Sequence, residues 1–434
     1  AQTVAHKPIV LLESGPAGGV SAGVRSSQQT GLKGLLLGDM GGTTFDVSMI
    51  REGRPEIRTQ ALLHTYAVRS PTIDIDSIGA GGGSIAWIDS VGGVHIGPQS
   101  AGADPGPACY GRGGQRPTVT DCNVILGYVD PNSFLGGEFK LDRQAAYRAV
   151  EEHLAQPLGV PVLEAAWTVR VVANALMAQA MRLMTVERGF DPRDFAYLCY
   201  GGAGPVHAID LAQELEIQRV IVPPLPGLFS AFGMIVADRQ YDDQIAVESE
   251  LSAVSATQIR QWCERLQRQA VDTLGSVDQD VQTTYRADCR YAGQPAAISV
   301  LISGEDLIAT AGEKLKDHIR AGFEQEHKRN WNFIKPDQPI VLVNLRVQAT
   351  VASGWQGLVR HTDGGQANAV APTRTRDVYI DGTMQTLPVY QRSQLAPHAT
   401  LDGPAVIEEP SSCVIFKQGQ RASVDDIGNL NIHL

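Results

Sequence analysis

Residues 35–50 read Leu-Leu-Leu-Gly-Asp-Met-Gly-Gly-Thr-Thr-Phe-Asp-Val-Ser-Met-Ile. An apolar strand runs into a Gly-Gly turn, and a second, alternating strand leaves it. A hairpin of this kind, with Asp39 at its mouth, presents backbone amides and two hydroxyls to one point in space. Such a surface suits a polyphosphate, with the carboxylate orienting a metal-bound water. The order of elements excludes other phosphate loops, because a Walker loop and a dinucleotide fingerprint both open a helix rather than a strand. ATP with Mg²⁺ is therefore the expected ligand. The alternative is a tight turn with no ligand, in which Asp39 only caps the turn.

Flanking segments fit the same reading. The stretch from Glu13 through Ser14-Gly15-Pro16-Ala17-Gly18-Gly19 to Val24 predicts a helix of very small residues. It suits either a hinge crossing between two lobes or close packing, and its small apolar face is expected to meet a neighbouring domain. Downstream, residues 195–200 predict a strand, Gly201-Gly202-Ala203-Gly204-Pro205 a turn, and residues 206–215 a helix. A strand–glycine turn–helix lets backbone approach a flat ligand and aims a helix N-terminus at it. Gly41, Gly42, Thr43 and Thr44 are thus expected to cradle phosphates, and Gly201, Gly202 and Gly204 to face adenosine. Asp46, alternating with core residues of the hairpin, ranks below Asp39. His207 is a weaker candidate still, read as a first-turn helix residue before a general base.

Two longer blocks carry a resemblance. Residues 78–89 read Ile-Gly-Ala-Gly-Gly-Gly-Ser-Ile-Ala-Trp-Ile-Asp, and residues 102–111 read Gly-Ala-Asp-Pro-Gly-Pro-Ala-Cys-Tyr-Gly, followed by Thr118-Val-Thr-Asp-Cys-Asn123. With the hairpin, the Val186–Arg193 segment and Gly201–Pro205, they resemble the hydantoinase A / 5-oxoprolinase family over essentially the whole chain. That family includes ATP-dependent lactamases and subunits of acetone and acetophenone carboxylases. The resemblance implies an α/β fold with an actin/Hsp70/sugar-kinase-like (ribonuclease H-like) ATPase lobe. It also implies a B-type partner subunit, and a cyclic amide or a ketone as the small-molecule substrate. In such folds a second phosphate hairpin closes the clamp from an N-terminal domain. Only one Asp-x-Gly-Gly-Thr occurs here, so the chain is expected to correspond to the C-terminal part of a family member. A sugar-kinase-like phosphotransferase shares the hairpin but not the two longer blocks; a non-catalytic actin- or Hsp70-like ATPase or scaffold is the remaining alternative.

The expected organisation is a nucleotide-binding lobe over residues 1–237, with a loop-rich insertion at 51–162, then a C-terminal α+β domain over 238–434 with a β-rich end. A hairpin is expected on Asp381-Gly382. The formal net charge of −11 argues against nucleic acid or an anionic membrane as partner. The apolar helix near residues 163–184 is interrupted by Arg170, Asn174, Gln179 and Arg182, so it reads as a buried amphipathic helix rather than a membrane span. Six scattered cysteines without a CxxC pair or zinc spacing fit reduced thiols and a cytoplasmic setting. Cys109 reads as a packing residue before a nucleophile, since no His or Asn partner is identifiable. His64, His95, Asp104 and Asp121 are substrate-side candidates, each more simply structural.

Overall fold

The computed structural model describes residues 14–58, 61–63, 66–68, 72–275, 281–304, 307, 312–355 and 370–434. It divides into two compact units, Ala1–Ile235 with Gly357–Leu434, and Val236–Gln356.

In the first unit, helix α1 (Ser14–Thr30) precedes the hairpin of β1 (Leu35–Met40) and β2 (Phe45–Arg51). Strand β3 (Ile75–Ile78) pairs with the outer edge of β2. Helices α2 (Val119–Ile125) and α3 (Val162–Thr185) follow, then β4 (Ala196–Tyr200), α4 (Gly204–Glu214), β5 (Arg219–Val222) and α5 (Phe229–Val236). Strands β1, β4 and β5 are parallel neighbours. Parallel pairing requires crossovers, here supplied by α3 and α4.

Alternation along the strands sorts side chains to two faces. Leu35, Leu37, Leu198 and Tyr200 pack with Val20 and Ala22 of α1. Leu36, Tyr197 and Cys199 pack with α3 and α4 residues such as Met177, Met181 and Ala208. Every residue of β4 is buried, as expected for a strand covered on both faces. Helix α3 is buried along much of its length, Arg170 included, and no single helix among the described residues is long and apolar enough to cross a membrane.

The small residues of α1 are spent inside this unit. A Cβ on Gly23 would meet Leu37 Cδ2 at 2.5 Å, and one on Gly18 would meet the Ser230 carbonyl oxygen of α5 at 2.6 Å. A Cβ on Gly233 would collide with the Gly18 carbonyl. Gly18 and Gly233 therefore set the α1–α5 crossing, and Gly18, Gly19 and Gly23 are buried within this unit.

The second unit is a four-stranded antiparallel sheet in the order Arg239–Glu250, Ile340–Val351, Val281–Tyr291, Ile298–Ile302. Helices Ala256–Leu274 and Gly312–Trp331 bury Ile259, Leu266, Ile319 and Phe323 with it. The strand Arg239–Glu250 was not anticipated; only every second residue is partly covered.

The chain then returns. Strands Arg374–Ile380 and Thr383–Gln391 form the expected hairpin, with Asp381 and Gly382 both at positive φ. Strands β6 (Ala405–Glu409) and β7 (Ser412–Phe416) extend that sheet. Strand β8 (Leu430–His433) pairs antiparallel with β5 of the first unit. The last strands of the chain, expected within a 238–434 domain, therefore lie in the first unit's sheet. The reason is β5, which takes β8 along its free edge.

The α1–α5 contact gives a direct test. Gly233→Ala should lower stability by about 1–3 kcal/mol, the helix-propensity gain being smaller than the overlap with α1. Gly15→Ala, with nothing within 4 Å of its Cβ, should be neutral or slightly stabilising. Thermal melts of the two variants check this; equal effects would contradict the packing described.

Candidate functional site

Among the described residues, the β1–β2 turn is held by the Gly81–Ser84 segment. Gly82 N–H donates to the Gly41 carbonyl at 2.9 Å and Gly83 N–H to the Gly42 carbonyl at 2.6 Å. Ser84 Oγ reaches the Thr43 carbonyl at 3.4 Å. This contact needs bare backbone: a Cβ on Gly81 would lie 2.5 Å from Thr43 backbone atoms, and one on Gly83 would lie 2.8 Å from the Gly42 oxygen. In a trans peptide the carbonyl and the following N–H point in opposite directions. With the carbonyls of Gly41 and Gly42 turned toward Gly82 and Gly83, the amides of Gly42 and Thr43 face the other way. Neither has a hydrogen-bond partner among the described residues. Gly42 and Thr43 are exposed, and a Cβ on Gly41 or Gly42 would project into open space.

The four turn residues are thus not equivalent. Gly41 spends its own N–H on the Thr44 carbonyl at 3.1 Å, so its contribution is a missing side chain. The Thr44 hydroxyl lies beside the Asp46 carboxyl and opposes the rise that burial causes there. Gly42 and Thr43 carry the open amides.

Two carboxyls stand beside the turn. Asp39 and Asp46 are direct cross-strand partners. Burial lifts the Asp39 carboxyl to about 6; the Ser230 hydroxyl, donating to Oδ2 at 2.9 Å, opposes the shift, and the neighbouring Asp46 adds to it. Burial also raises Asp46, against hydrogen bonds from Ser77 and Thr44. Asp46 Oδ1 is buried with no partner, which leaves an acceptor available for a cation or a water. Among the described residues no group of three acidic, His or Cys side chains could hold a metal ion.

The glycine turn after β4 adjoins this hairpin. Ala203 N–H donates to the Met40 carbonyl at 3.0 Å. Gly201 has φ +83°, and a Cβ there would meet Asp39 Oδ1 at 2.5 Å, so only glycine lets the turn close against the carboxyl. Gly202 is exposed, whereas Gly204 is buried behind it against β1.

The remaining candidates fall elsewhere. Asp121 is fully buried and accepts from the amides of Ala108 (3.2 Å), Cys109 (2.7 Å) and Thr118 (2.9 Å) and from the Thr118 hydroxyl (2.8 Å). It is a capping-box residue of α2, a spacing visible in Thr118-Val-Thr-Asp121. Cys109 is fully buried beside it, and burial first, then Asp121, pushes its thiol well up, which suits packing and not nucleophilic attack. His207 is fully buried: Nδ1 meets Asn174 Oδ1 at 2.6 Å and Nε2 meets Asn123 Nδ2 at 3.0 Å. Burial, then the nearby Arg170, holds it well below the usual imidazole range, so it is a neutral link in a buried network. Arg170 anchors that network to Asn123 at 2.9 Å and Asp210 at 2.7 Å, and stacks on Tyr128. His95 pairs with Asp89 at 2.6 Å and stacks on Trp87 at an exposed position. Asp104 lies on an exposed turn, and His64 lies outside the described residues.

Comparison with known proteins places this arrangement. Residues 1–243 match the hydantoinase/oxoprolinase family, and residues 246–433 match the hydantoinase/oxoprolinase C-terminal domain. The chain belongs to the hydantoinase/oxoprolinase family. It is 34% identical to caprolactamase subunit alpha of Pseudomonas jessenii, over 97% of this chain and 61% of that protein. It superposes on the crystal structure of the ATP-dependent caprolactamase from the same organism with a TM-score of 0.85, at 33% identity, covering 96% of this chain and 61% of that one. Its TM-score to nucleotide-free acetone carboxylase, from work on ATP-dependent acetone carboxylation, is 0.76 at 27% identity, with 96% and 61% coverage. The chain therefore spans about three fifths of these relatives' length, and its fold is the mixed α/β fold they share.

The Asp39 environment has a measurable consequence. Its folded-state value lies above the ordinary 3.8, so the folded state holds the proton more tightly, and stability falls as pH rises from about 4 to about 6 and stays lower above. Asp39→Asn cannot ionise. It should stabilise the ligand-free protein at pH 7 by roughly 1–3 kcal/mol and flatten that part of the pH–stability curve. A variant less stable than the parent at pH 7 would mean that the carboxylate contributes to the fold.

Proposed function

We propose that this chain is the ATP-binding part of an ATP-dependent cyclic-amide hydrolase acting on a hydantoin, 5-oxoproline or another lactam. The observation that carries this reading is the pair of open amides at Gly42 and Thr43 beside the Asp39–Asp46 carboxyl pair. Outward amides bind phosphate oxygens without a side chain in the way. The order strand–Gly-Gly–strand, then strand–glycine turn–helix, is that of an actin-like nucleotide lobe, and we assign the fold of this unit to that class.

The residues fit a magnesium-bound nucleotide. Asp39 and the orphaned Asp46 Oδ1 offer oxygen ligands, directly or through water, and a cation bound by few carboxylates plus phosphates is the usual Mg²⁺ arrangement. Such an ion would neutralise phosphate charge. Asp39 is the residue assigned to orient it, while Gly42 and Thr43 hold the phosphate oxygens and Gly201–Gly202 give room for the nucleoside.

The chemistry explains why ATP is required. A cyclic amide resists hydrolysis because of its resonance and because ring closure is favourable. Attack of its carbonyl oxygen on the γ-phosphorus breaks the bond to ADP and leaves an activated carbon. Water then adds there, the C–N bond opens, and inorganic phosphate departs. Activation of a ketone enol or of bicarbonate follows the same logic, so a ketone carboxylase subunit is the second reading, supported by the likeness to acetone carboxylase. In both readings the substrate groups belong to an N-terminal domain and a B-type partner subunit beyond this chain. A scaffold ATPase would hydrolyse ATP without substrate dependence.

In the full-length protein with its partner, Asp39→Ala should reduce ATP turnover at least about 100-fold, the scale of a lost transition-state electrostatic contact, with the fold retained. ATP turnover should depend on a lactam, hydantoin or 5-oxoproline and not on bicarbonate. Bicarbonate-dependent turnover with a ketone would establish the second reading, and substrate-independent turnover would overturn both.

A further inference from the structure

We infer that Asn123 and His207 are positioning residues of the nucleotide site, their buried hydrogen bond fixing the spacing of the two glycine segments that flank the β1–β2 turn. This rests on the nucleotide reading above and adds to it residues that touch no ligand. The two segments meet at the turn. Gly82 N–H donates to the Gly41 carbonyl and Ala203 N–H to the Met40 carbonyl, and a Cβ on Gly82 would lie 3.7 Å from Ala203 Cβ. Each segment is held by a helix. The Thr120 hydroxyl of α2 donates to the Gly82 carbonyl at 2.9 Å, and α4 starts at Gly204, directly after Ala203. One turn further along each helix stand Asn123 and His207, bonded to each other at 3.0 Å.

The surrounding groups fix the direction of that bond. Arg170 can only donate and gives Nη1–H to Asn123 Oδ1 at 2.9 Å, so the Asn123 amide presents Nδ2–H to His207 Nε2. On the other side stands Asp210, a carboxylate paired with Arg170 and Lys417. Asn174 Nδ2 donates to Asp210 Oδ2 at 3.2 Å, so Asn174 Oδ1 accepts from His207 Nδ1 at 2.6 Å. His207 is therefore the neutral Nδ1–H tautomer, accepting at Nε2. The 3.4 Å approach of Arg170 Nη1 to Nδ1 is then a contact between two donors and not a bond. Asn123, Arg170 and His207 are all buried, where a donor left without its acceptor is costly.

Helices α2 and α4 each also pack on α3, and Arg170 of α3 donates to the Val206 carbonyl in the first turn of α4 at 2.8 Å. Loss of the Asn123–His207 bond therefore alters the relation of α2 to α4 before it unfolds either helix. The segments that move are the one bonded to the turn carbonyls and the one closed against Asp39.

The test is hydrogen exchange and ATP binding in the full-length protein. His207→Leu removes both ring nitrogens. It should raise exchange of the Gly82 and Gly83 amides about tenfold more than that of the β1 amides, and should weaken ATP about tenfold. His207→Gln, whose carbonyl accepts from Asn123 and whose amide donates to Asn174, should restore both. Ile432→Ala, buried on β8 and separated from β1 by β5 and β4, should lower the melting temperature with neither effect. If His207→Leu does not fold, Asn123→Ser takes its place and is held to the same outcomes. Exchange at Gly82 and Gly83 that stays in step with β1, unchanged ATP affinity, or no rescue by Gln would overturn the inference while the nucleotide reading stands. A parent protein that binds no ATP would overturn the nucleotide reading, and the exchange comparison would still decide whether this bond holds the two segments.

Discussion

The contact between Gly81–Gly83 and the β1–β2 turn is the constraint on which the site depends. Backbone meets backbone there, with the Gly41 and Gly42 carbonyls satisfied by Gly82 and Gly83. Any side chain on Gly81 or Gly83 would separate the two segments. The outward direction of the neighbouring amides then follows from peptide geometry, without a further interaction to aim them. Thr120 secures the triple glycine in turn, its amide and hydroxyl both donating to the Gly82 carbonyl at 2.8 and 2.9 Å. Thr120 belongs to the helix that Thr118 and Asp121 cap. The buried carboxylate of Asp121 is therefore two steps removed from the turn, yet it fixes the segment that holds it.

The carboxyl pair shows the opposite tendency. Asp39 and Asp46 face each other inside the sheet, near the turn end of the hairpin, where burial disfavours both charges. No Arg or Lys is bonded to either among the described residues, and Ser230, Ser77 and Thr44 supply only hydroxyls. Elsewhere in the same unit Asp210 and Glu408 are paired with the cations Arg170 and Arg376, and Asp121 is surrounded by donors from three amides and a hydroxyl. A pair left without a cation is expensive to the fold and useful to a ligand that brings one. Ser230 lies on α5, the helix set against α1 by Gly18 and Gly233, so the packing of these helices also determines how the Asp39 carboxyl is held.

The local parts of this arrangement were legible in the sequence. Leu35–Ile50 announces a hairpin by alternation and by Gly-Gly, and Asp381-Gly382 announces another by its need for positive φ. What sequence could not show were the pairings between distant segments. The triple glycine reads as a motif, but nothing in it names Gly41–Thr43 as its partner. The joining of β8 to β5 likewise depends on an edge that exists only after the parallel sheet has formed. His207 and Asp121 read first as structural, but their complete burial was not legible, because polar residues in motif blocks carry no mark of it. The capping-box spacing of Thr118 and Asp121 was the one available signal for a structural role.

The most direct test of the central claim is a crystal structure of the full-length protein with a non-hydrolysable ATP analogue and Mg²⁺. The account predicts phosphate oxygens within hydrogen-bonding distance of the Gly42 and Thr43 amides, with those of Gly82 and Gly83 still bonded to the turn carbonyls. Phosphates bound away from this turn, or a turn whose amides point into the protein, would contradict it.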